Sequence, residues 1–279
     1  MNDFLSFAES HGLIIPHLEA GRWVRVKTED KQSKRNGAYK FLGDVGFVQN
    51  HATMTEVAVW HSDRKPERVD REEFARRLSA KRAADRQAEE ASRAHARSEA
   101  QALIAACASG PHPYLARKGF PTAQALIHPC GDLIIPMREY TDYGTVNSAQ
   151  RISPEGTKLF LPGGKAKGSV FIIGKGQWRE RWLVEGYATG LSVHAALADL
   201  RRQAEVIVCF SAGNLKHVAG LVKRPAFVMA DHDASGTGQE AAQLTGLPWV
   251  MPPHVETDAN DLHASYGLRR LVRLIAEGA

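Results

Sequence analysis

Between residues 181 and 279, four short apolar runs alternate with stretches of helical character, and this order constrains the fold more than any other feature. RWLVE (181–185) precedes a helical pattern over about 191–200, and EVIVCF (205–210) precedes one near 215–221. AFVMAD (226–231) precedes one near 239–245, and LPWVM (247–251) precedes a last one over about 262–276. Short runs rich in Val, Ile and aromatic residues, without polar alternation, read as strands buried on both faces. Strands linked through helices lie parallel. The expected fold is α/β, with a mainly parallel sheet and flanking helices in 181–279. Ligands of such sheets gather beyond the carboxyl ends of the strands.

The rest of the chain has a different texture. Residues 1–69 carry alternating runs such as RWVRV (22–26) and AYKFLG (38–43), with Asn36-Gly37 as a hairpin signal, so a small β-rich domain is expected there. Residues 70–108 are rich in Ala, Arg, Glu and Gln and contain neither Gly nor Pro, which is helix-forming composition. They read as an exposed helical linker in which Glu89 and Arg93 pair at i,i+4; a partly disordered charged linker is the alternative. Gly110-Pro111-His112-Pro113 breaks that pattern and opens a basic segment over 109–180 that leads into the 181–279 domain.

Composition excludes several classes. The 279 residues are 43% hydrophobic and 24% charged, enough for a substantial core. The three cysteines (Cys107, Cys130 and Cys209) are far apart, which excludes a disulfide scaffold and a four-cysteine zinc site. Cys209 reads as a small buried hydrophobe. No apolar run approaches 18 residues and MNDFLSFAES lacks the pattern of a secretory leader, so the expectation is a cytoplasmic chain with no membrane partner.

The acidic residues fall at the predicted strand ends. Glu185 ends the first run, Asp231 and Asp233 end the third in DHDASGTG, and Asp258 and Asp261 follow the fourth in ETDANDLH. Two unit charges 4 Å apart repel by about 4 kcal/mol at an effective dielectric near 20. A carboxylate cluster therefore calls for a cation, and oxygen-only ligands select Mg²⁺ or Mn²⁺ over zinc. The glycines of DHDASGTG would let phosphate oxygens approach the backbone. An EF-hand fails because the twelfth position is Ala242 and a strand precedes the loop. A haloacid-dehalogenase-like loop prefers Thr or Val where this chain has Ser235. The plain alternative is an Asp-rich turn that caps a helix. His232 points away from such a site if the strand persists.

LVEGYATGLSVHAAL, CFSAGNLKHVA, FVMADHDASGTG and DANDLH together resemble a TOPRIM domain, more narrowly that of the primases of conjugative plasmids, phages and related mobile elements. HPYLARKGF, LIIPMRE and TKLFLPGGKAKGSVFIIG resemble the segment that precedes TOPRIM in that group, so the likeness spans about 110–265. It implies a nucleotidyltransferase that joins ribonucleoside triphosphates into short RNA primers on a single-stranded DNA template. It further implies two divalent ions, a replicative helicase as partner, and a place in plasmid or phage DNA replication. By the resemblance, Glu185, Asp231 and Asp233 are catalytic and hold metal, and Asp261 of Asn260-Asp261 is a further ligand. A TOPRIM-type metal-dependent nuclease and a non-catalytic single-strand-binding accessory protein are the alternatives.

The formal charge of +5 is concentrated in two stretches. Residues 151–181 hold Arg151, Lys158, Lys165, Lys167, Lys175, Arg179 and Arg181 against Glu155 and Glu180. Arg151, Lys158, Lys165 and Lys167 are candidates for binding nucleotide or template; a solvated loop is the alternative. Residues 22–40 hold seven cations against Glu29 and Asp30, among them Arg22, Arg25, Lys31, Lys34 and Arg35, interleaved with Trp23 and Tyr39. These residues, Lys31 aside, are candidates for a single-strand platform, or the aromatics are simply the core of the small domain. Residues 1–69 lack the cysteines of the zinc module found in bacterial replicative primases, so no zinc is expected.

Overall fold

The computed structural model describes residues 3–30, 32–62, 68–174, 176 and 178–278, the side chains of 68–74 excepted; Lys31 and Lys175 lie outside the described residues. The chain divides into two compact units, Met1–Gln87 and Ala88–Ala279.

The first unit is an antiparallel sheet of β1 (Leu13–Ile14), β2 (Trp23–Thr28), β3 (Gly37–Phe41), β4 (Val45–Asn50) and β5 (Ala58–His61), paired in sequence order. Alternation along the strands puts Val26, Tyr39, Val48 and Trp60 on one face, where they pack with Phe4, Ala8 and Leu13. Phe4 and Ala8 belong to α1 (Phe4–Ser10), a helix the composition did not announce. Asp3 caps it, accepting the Ser6 N–H at 2.8 Å. Phe4 lies so close to Gly46 that a Cβ there would fall 2.2 Å from its ring, which is why β4 carries glycine at that point.

The predicted linker forms α2 (Arg68–Ala106), 39 residues long, and Glu89 pairs with Arg93 as the spacing requires. It is not exposed throughout. Ala96 is buried, and Ala100 is buried with Ile134, Val146, Ala149 and Leu161, with Leu103 and Ile104 packed alongside. Alanine adds little apolar area, but its small side chain lets a helix approach a sheet closely.

In the second unit, β6 (Ala108–Gly110), α3 (Pro113–Arg117), β7 (Ala125–Ile127), β8 (Leu133–Glu139), β9 (Val146–Ile152), β10 (Lys158–Phe160) and β11 (Ser169–Ile173) come first. There follow β12 (Glu180–Val184), α4 (Tyr187–Asp199), β13 (Ala204–Val208), α5 (Ala212–Ala219), β14 (Ala226–Met229), α6 (Thr237–Leu244), β15 (Trp249–Val250), α7 (Ala259–Tyr266) and α8 (Leu268–Gly278). The main path of the sheet runs β10-β9-β8-β11-β13-β12-β14-β15, with β7 beside β8 and β6 beside β7. Strands β12 to β15 are mutually parallel, as expected. The sheet as a whole is mixed, because β11 pairs antiparallel with β13 and extends it into the strands of 109–180. The open edge of a parallel sheet accepts a neighbour of either direction, which periodicity cannot foresee.

Both faces of the parallel strands are buried. Trp182, Val184, Val206, Val208 and Met229 pack against α4 and α8 through Val193, Leu197, Leu271 and Ile275. Leu183, Ile207 and Val228 point the other way, towards Leu215 and Val218 of α5 and Ala242 of α6. Cys209 is fully buried in this second core. Gly190 lets α4 lie on the sheet, since a Cβ there would stand 2.9 Å from both Ile173 and Val208.

The last predicted helix is two. α7 and α8 part at Gly267, with φ 80° and ψ 160°. Only glycine occupies that region at low cost. The space around its missing Cβ is open, so a substitution is penalised by the backbone alone. Gly267→Ala is expected to lower stability by about 1–3 kcal/mol in urea unfolding; a change below about 0.5 kcal/mol, ordinary for a surface substitution, would contradict this account.

Candidate active site

Strand order places the acidic residues. β12 lies between β13 and β14, so the chain leaves β12 through α4 to one side, then returns through α5 to the other side to form β14. A crevice opens at such a reversal, beyond the carboxyl ends of the two central strands. Glu185 follows the end of β12 and Asp231 lies two residues past the end of β14, so both stand at this crevice.

Each carboxylate has its own surroundings. Asp231 is largely buried, and its Oδ1 has no hydrogen-bond partner among the described residues. Burial, then the charges of Asp258 and Glu185, push its pKa up to about 7, opposed only in part by Lys158. Glu185 is raised by burial first and by Asp233 second, against Lys158 and the backbone N–H of Ala212 at the start of α5. Asp233 behaves differently. One oxygen accepts the Ser235 hydroxyl and the Thr237 N–H at 3.0 Å, and the other accepts the Gly238 N–H at 2.8 Å, which together hold its carboxyl below the ordinary range. The D-x-D pair is therefore divided: Asp233 caps α6, while Asp231 is left without a partner.

Glycine in DHDASGTG serves packing as well as turning. A Cβ on Gly238 would lie 2.3 Å from the Asp231 carbonyl oxygen, so this glycine lets α6 start directly against the end of β14. His232 turns away, its Nδ1 2.9 Å from the Pro252 carbonyl.

Asp258 and Asp261 form a reciprocal capping box at α7: Asp258 accepts the Asp261 N–H at 2.8 Å and Asp261 accepts the Asp258 N–H at 3.2 Å. Thr189 donates to Asp258 at 3.0 Å, and Lys118 lies 3.4 Å from Asp261. The carboxylate whose charge bears on Asp231 is thus Asp258, while Asp261 is engaged with the cap and Lys118. Asn260 is buried and donates to the Lys118 carbonyl at 2.8 Å and to Ser192 at 3.0 Å.

The charges here suit a hard divalent cation. The candidate donors are carboxylate oxygens, the Asp231 Oδ1 is an orphan in a buried place, and the repulsion on Asp231 and Glu185 is opposed by Lys158. Among the described residues no three His, Cys, Asp or Glu side chains are already close enough to share one ion.

The basic candidates separate on inspection. Lys158, on β10, acts on both Asp231 and Glu185. Arg151 is paired with Asp132 at 2.6 Å and Lys165 is paired with Glu139. Arg181 is paired with Glu205 at 2.8 Å. Lys167 is exposed and has no ion pair among the described residues. All three acidic partners lie outside 151–181, so residues distant in sequence neutralise part of the charge of that stretch. Beside Lys158, Leu159 and Phe160 are exposed, and Phe160 meets Phe210 edge to face at 6.2 Å. Phe210 donates its N–H to the Glu185 carbonyl at 2.8 Å and has φ 68°, a conformation bulky residues avoid. Neither aromatic was found from the sequence, because nothing local marks a strained phenylalanine.

In the first unit, Arg22 is paired with Glu19 at 2.5 Å, and Tyr39 is fully buried, its hydroxyl donating to the His17 carbonyl at 3.1 Å. These two are not free for a ligand. Trp23 and Arg25 are exposed on β2, and Lys34 and Arg35 are exposed between β2 and β3.

No protein-family model matches the sequence. Among solved structures, the chain is similar to a chain from the bacteriophage T7 lagging-strand DNA polymerase interacting with primase domains of two gp4 subunits bound to an RNA/DNA hybrid and dTTP. That similarity has 18% identity and a TM-score of 0.40, and covers 53% of this chain and 78% of that one. It is also similar to the primase fragment of the bacteriophage T7 primase-helicase protein, at 14% identity and a TM-score of 0.39, covering 58% and 69%.

The raised Asp231 pKa has a stability consequence. A carboxyl whose folded pKa exceeds its unfolded one stabilises the fold fully below the unfolded value, near 4, and that contribution is lost as pH rises through about 7. At about 1.4 kcal/mol per unit, the loss amounts to at most about 4 kcal/mol. Asp231→Asn should therefore melt higher than wild type in chelator at pH 8, with the difference shrinking towards pH 4. A variant that melts lower at pH 8 would refute the assignment of an uncompensated charge.

Proposed function

We propose that this chain is a DNA primase, which joins ribonucleoside triphosphates into short RNA primers on single-stranded DNA. The observation that carries the reading is the orphaned, buried Asp231 oxygen at the crevice between β12 and β14, facing the charges of Glu185 and Asp258. The TOPRIM-like motifs fall on the same residues. The replication of a mobile element, a cytoplasmic setting and a helicase partner follow from that resemblance and belong to the proposal.

In the reaction, the 3′-hydroxyl oxygen of one nucleotide attacks the α-phosphorus of the next. A phosphodiester forms, the bond to the β-phosphate bridging oxygen breaks, and pyrophosphate leaves. Asp231, Glu185 and Asp258 would hold Mg²⁺ or Mn²⁺, with Asp233 beside them, and the metal would supply Lewis-acid charge to the hydroxyl and the triphosphate. Glu185, its pKa raised by burial and by Asp233, is suited to take the hydroxyl proton. Lys158 offers positive charge to the triphosphate from β10, and Lys167 offers it to the template. Asp261 positions Asp258 through the capping box.

Purified chain with Mg²⁺ or Mn²⁺, four ribonucleotides and a library of single-stranded templates is expected to yield short oligoribonucleotides. Glu185→Gln should lower the rate by about 10²–10⁴-fold. Asp231→Asn should remove product and also abolish the rise in melting temperature that Mg²⁺ gives the wild type. Metal-dependent cleavage of DNA without nucleotides would favour a nuclease instead. Absence of product from the wild type on every template, with DNA binding intact in both variants, would leave an accessory protein.

A further inference from the structure

The first unit has one covered and one open sheet face. Val24, Tyr39, Val48 and Ala58 pair across the strands on the core side. The next row alternates to the other side and joins Trp23, Lys40, Phe47 and Val59 across four strands. Beside it runs a shorter row of Arg25, Ala38 and Gln49, and Lys27 continues the same side of β2. Trp23 is 48% exposed and Val59 47%, so this face of the first unit is open. The Trp23 and Phe47 rings stand 6.3 Å apart at 46°, with Lys40 between them in the row.

Charge on this face has one sign. Neither row holds an acidic residue, and Arg25, Lys27 and Lys40 have no ion pair among the described residues. At the β1 edge, Arg25 and Lys27 also line a cleft with His17 and Arg35, where Glu19 is already engaged by Arg22. The exposed Trp23 ring, the half-buried Phe47 ring beside it and cations without ion pairs among the described residues match a flexible polyanion that carries planar groups. An acidic peptide would use the cations but leave the rings idle. A duplex would hide its bases from them.

We infer that the open face of the β2-β3-β4-β5 sheet binds single-stranded nucleic acid. Bases stack on Trp23 and Phe47, and phosphates lie along Arg25, Lys27 and Lys40. This goes beyond the catalytic reading and uses no residue of the acidic crevice.

The test is anisotropy of a labelled oligodeoxythymidylate with the full chain, in chelator and without nucleotides, so its outcome is independent of whether primers are made. Trp23→Ala is expected to weaken binding about tenfold, and Trp23→Phe to retain most of the affinity. Lys40→Ala should reduce the slope of log affinity against log salt by about one. Arg269→Ala, which removes one exposed cation from α8, should change nothing. Lys40→Glu decides the matter should Trp23→Ala fail to fold. The inference is overturned if both variants, folded by circular dichroism, bind as tightly as wild type. It is equally overturned if duplex competes as well as single strand, or if polyglutamate displaces the oligonucleotide as effectively.

Discussion

A carboxylate with a buried oxygen that has no hydrogen-bond partner among the described residues, in the field of three others, is the constraint on which the second unit turns. Asp231 would be far easier to accommodate as an apolar residue or at a solvated turn. It is held in place by the surrounding structure: β14 fixed in register between β12 and β15, α6 starting against its own carbonyl through Gly238, and Asp258 locked in a cap. Close packing and satisfied caps around the unsatisfied Asp231 oxygen leave it open to a ligand. The neighbouring Phe210, at positive φ and bonded to the Glu185 backbone, shows the same local concession.

The parallel strands position this charge because both their faces are buried. Trp182 and Val184 point to one core and Leu183 to the other, so β12 cannot slip by one residue without exchanging its two cores. That fixed register carries through Val184 to Glu185. The same logic on the first unit, where only one face is buried, leaves the other face free to carry Trp23 and Lys40.

Much of this was legible in the residues. The four apolar runs became β12 to β15 at nearly the expected places, with Glu185 and Asp231 just past strand ends, because burial on two faces writes a continuous apolar signal and a charge ends it; Asp258 and Asp261 instead open α7. The Ala-rich stretch became α2 for equally local reasons. Less legible were features that depend on a distant partner. Arg151 and Lys165 counted as free cations until Asp132 and Glu139 were found beside them. Tyr39 looked like a stacking ring and proved to be core, since strand alternation alone does not tell which face is covered. α1 was missed because seven residues give too short a pattern, and the α7–α8 break because a lone glycine inside an apolar periodicity has no fixed meaning.

The sequence by itself determined the alternation of strands and helices, the acids that follow the strands and the long helix, all of which are written in local composition and spacing. Only the tertiary structure decided the strand order that brings Glu185 and Asp231 to one crevice, and the antiparallel extension through β11. It alone separated Asp233 as a cap from Asp231 as the orphan, and Asp258 from Asp261. Those outcomes depend on hydrogen bonds and charges between residues tens of positions apart, which no window of sequence contains.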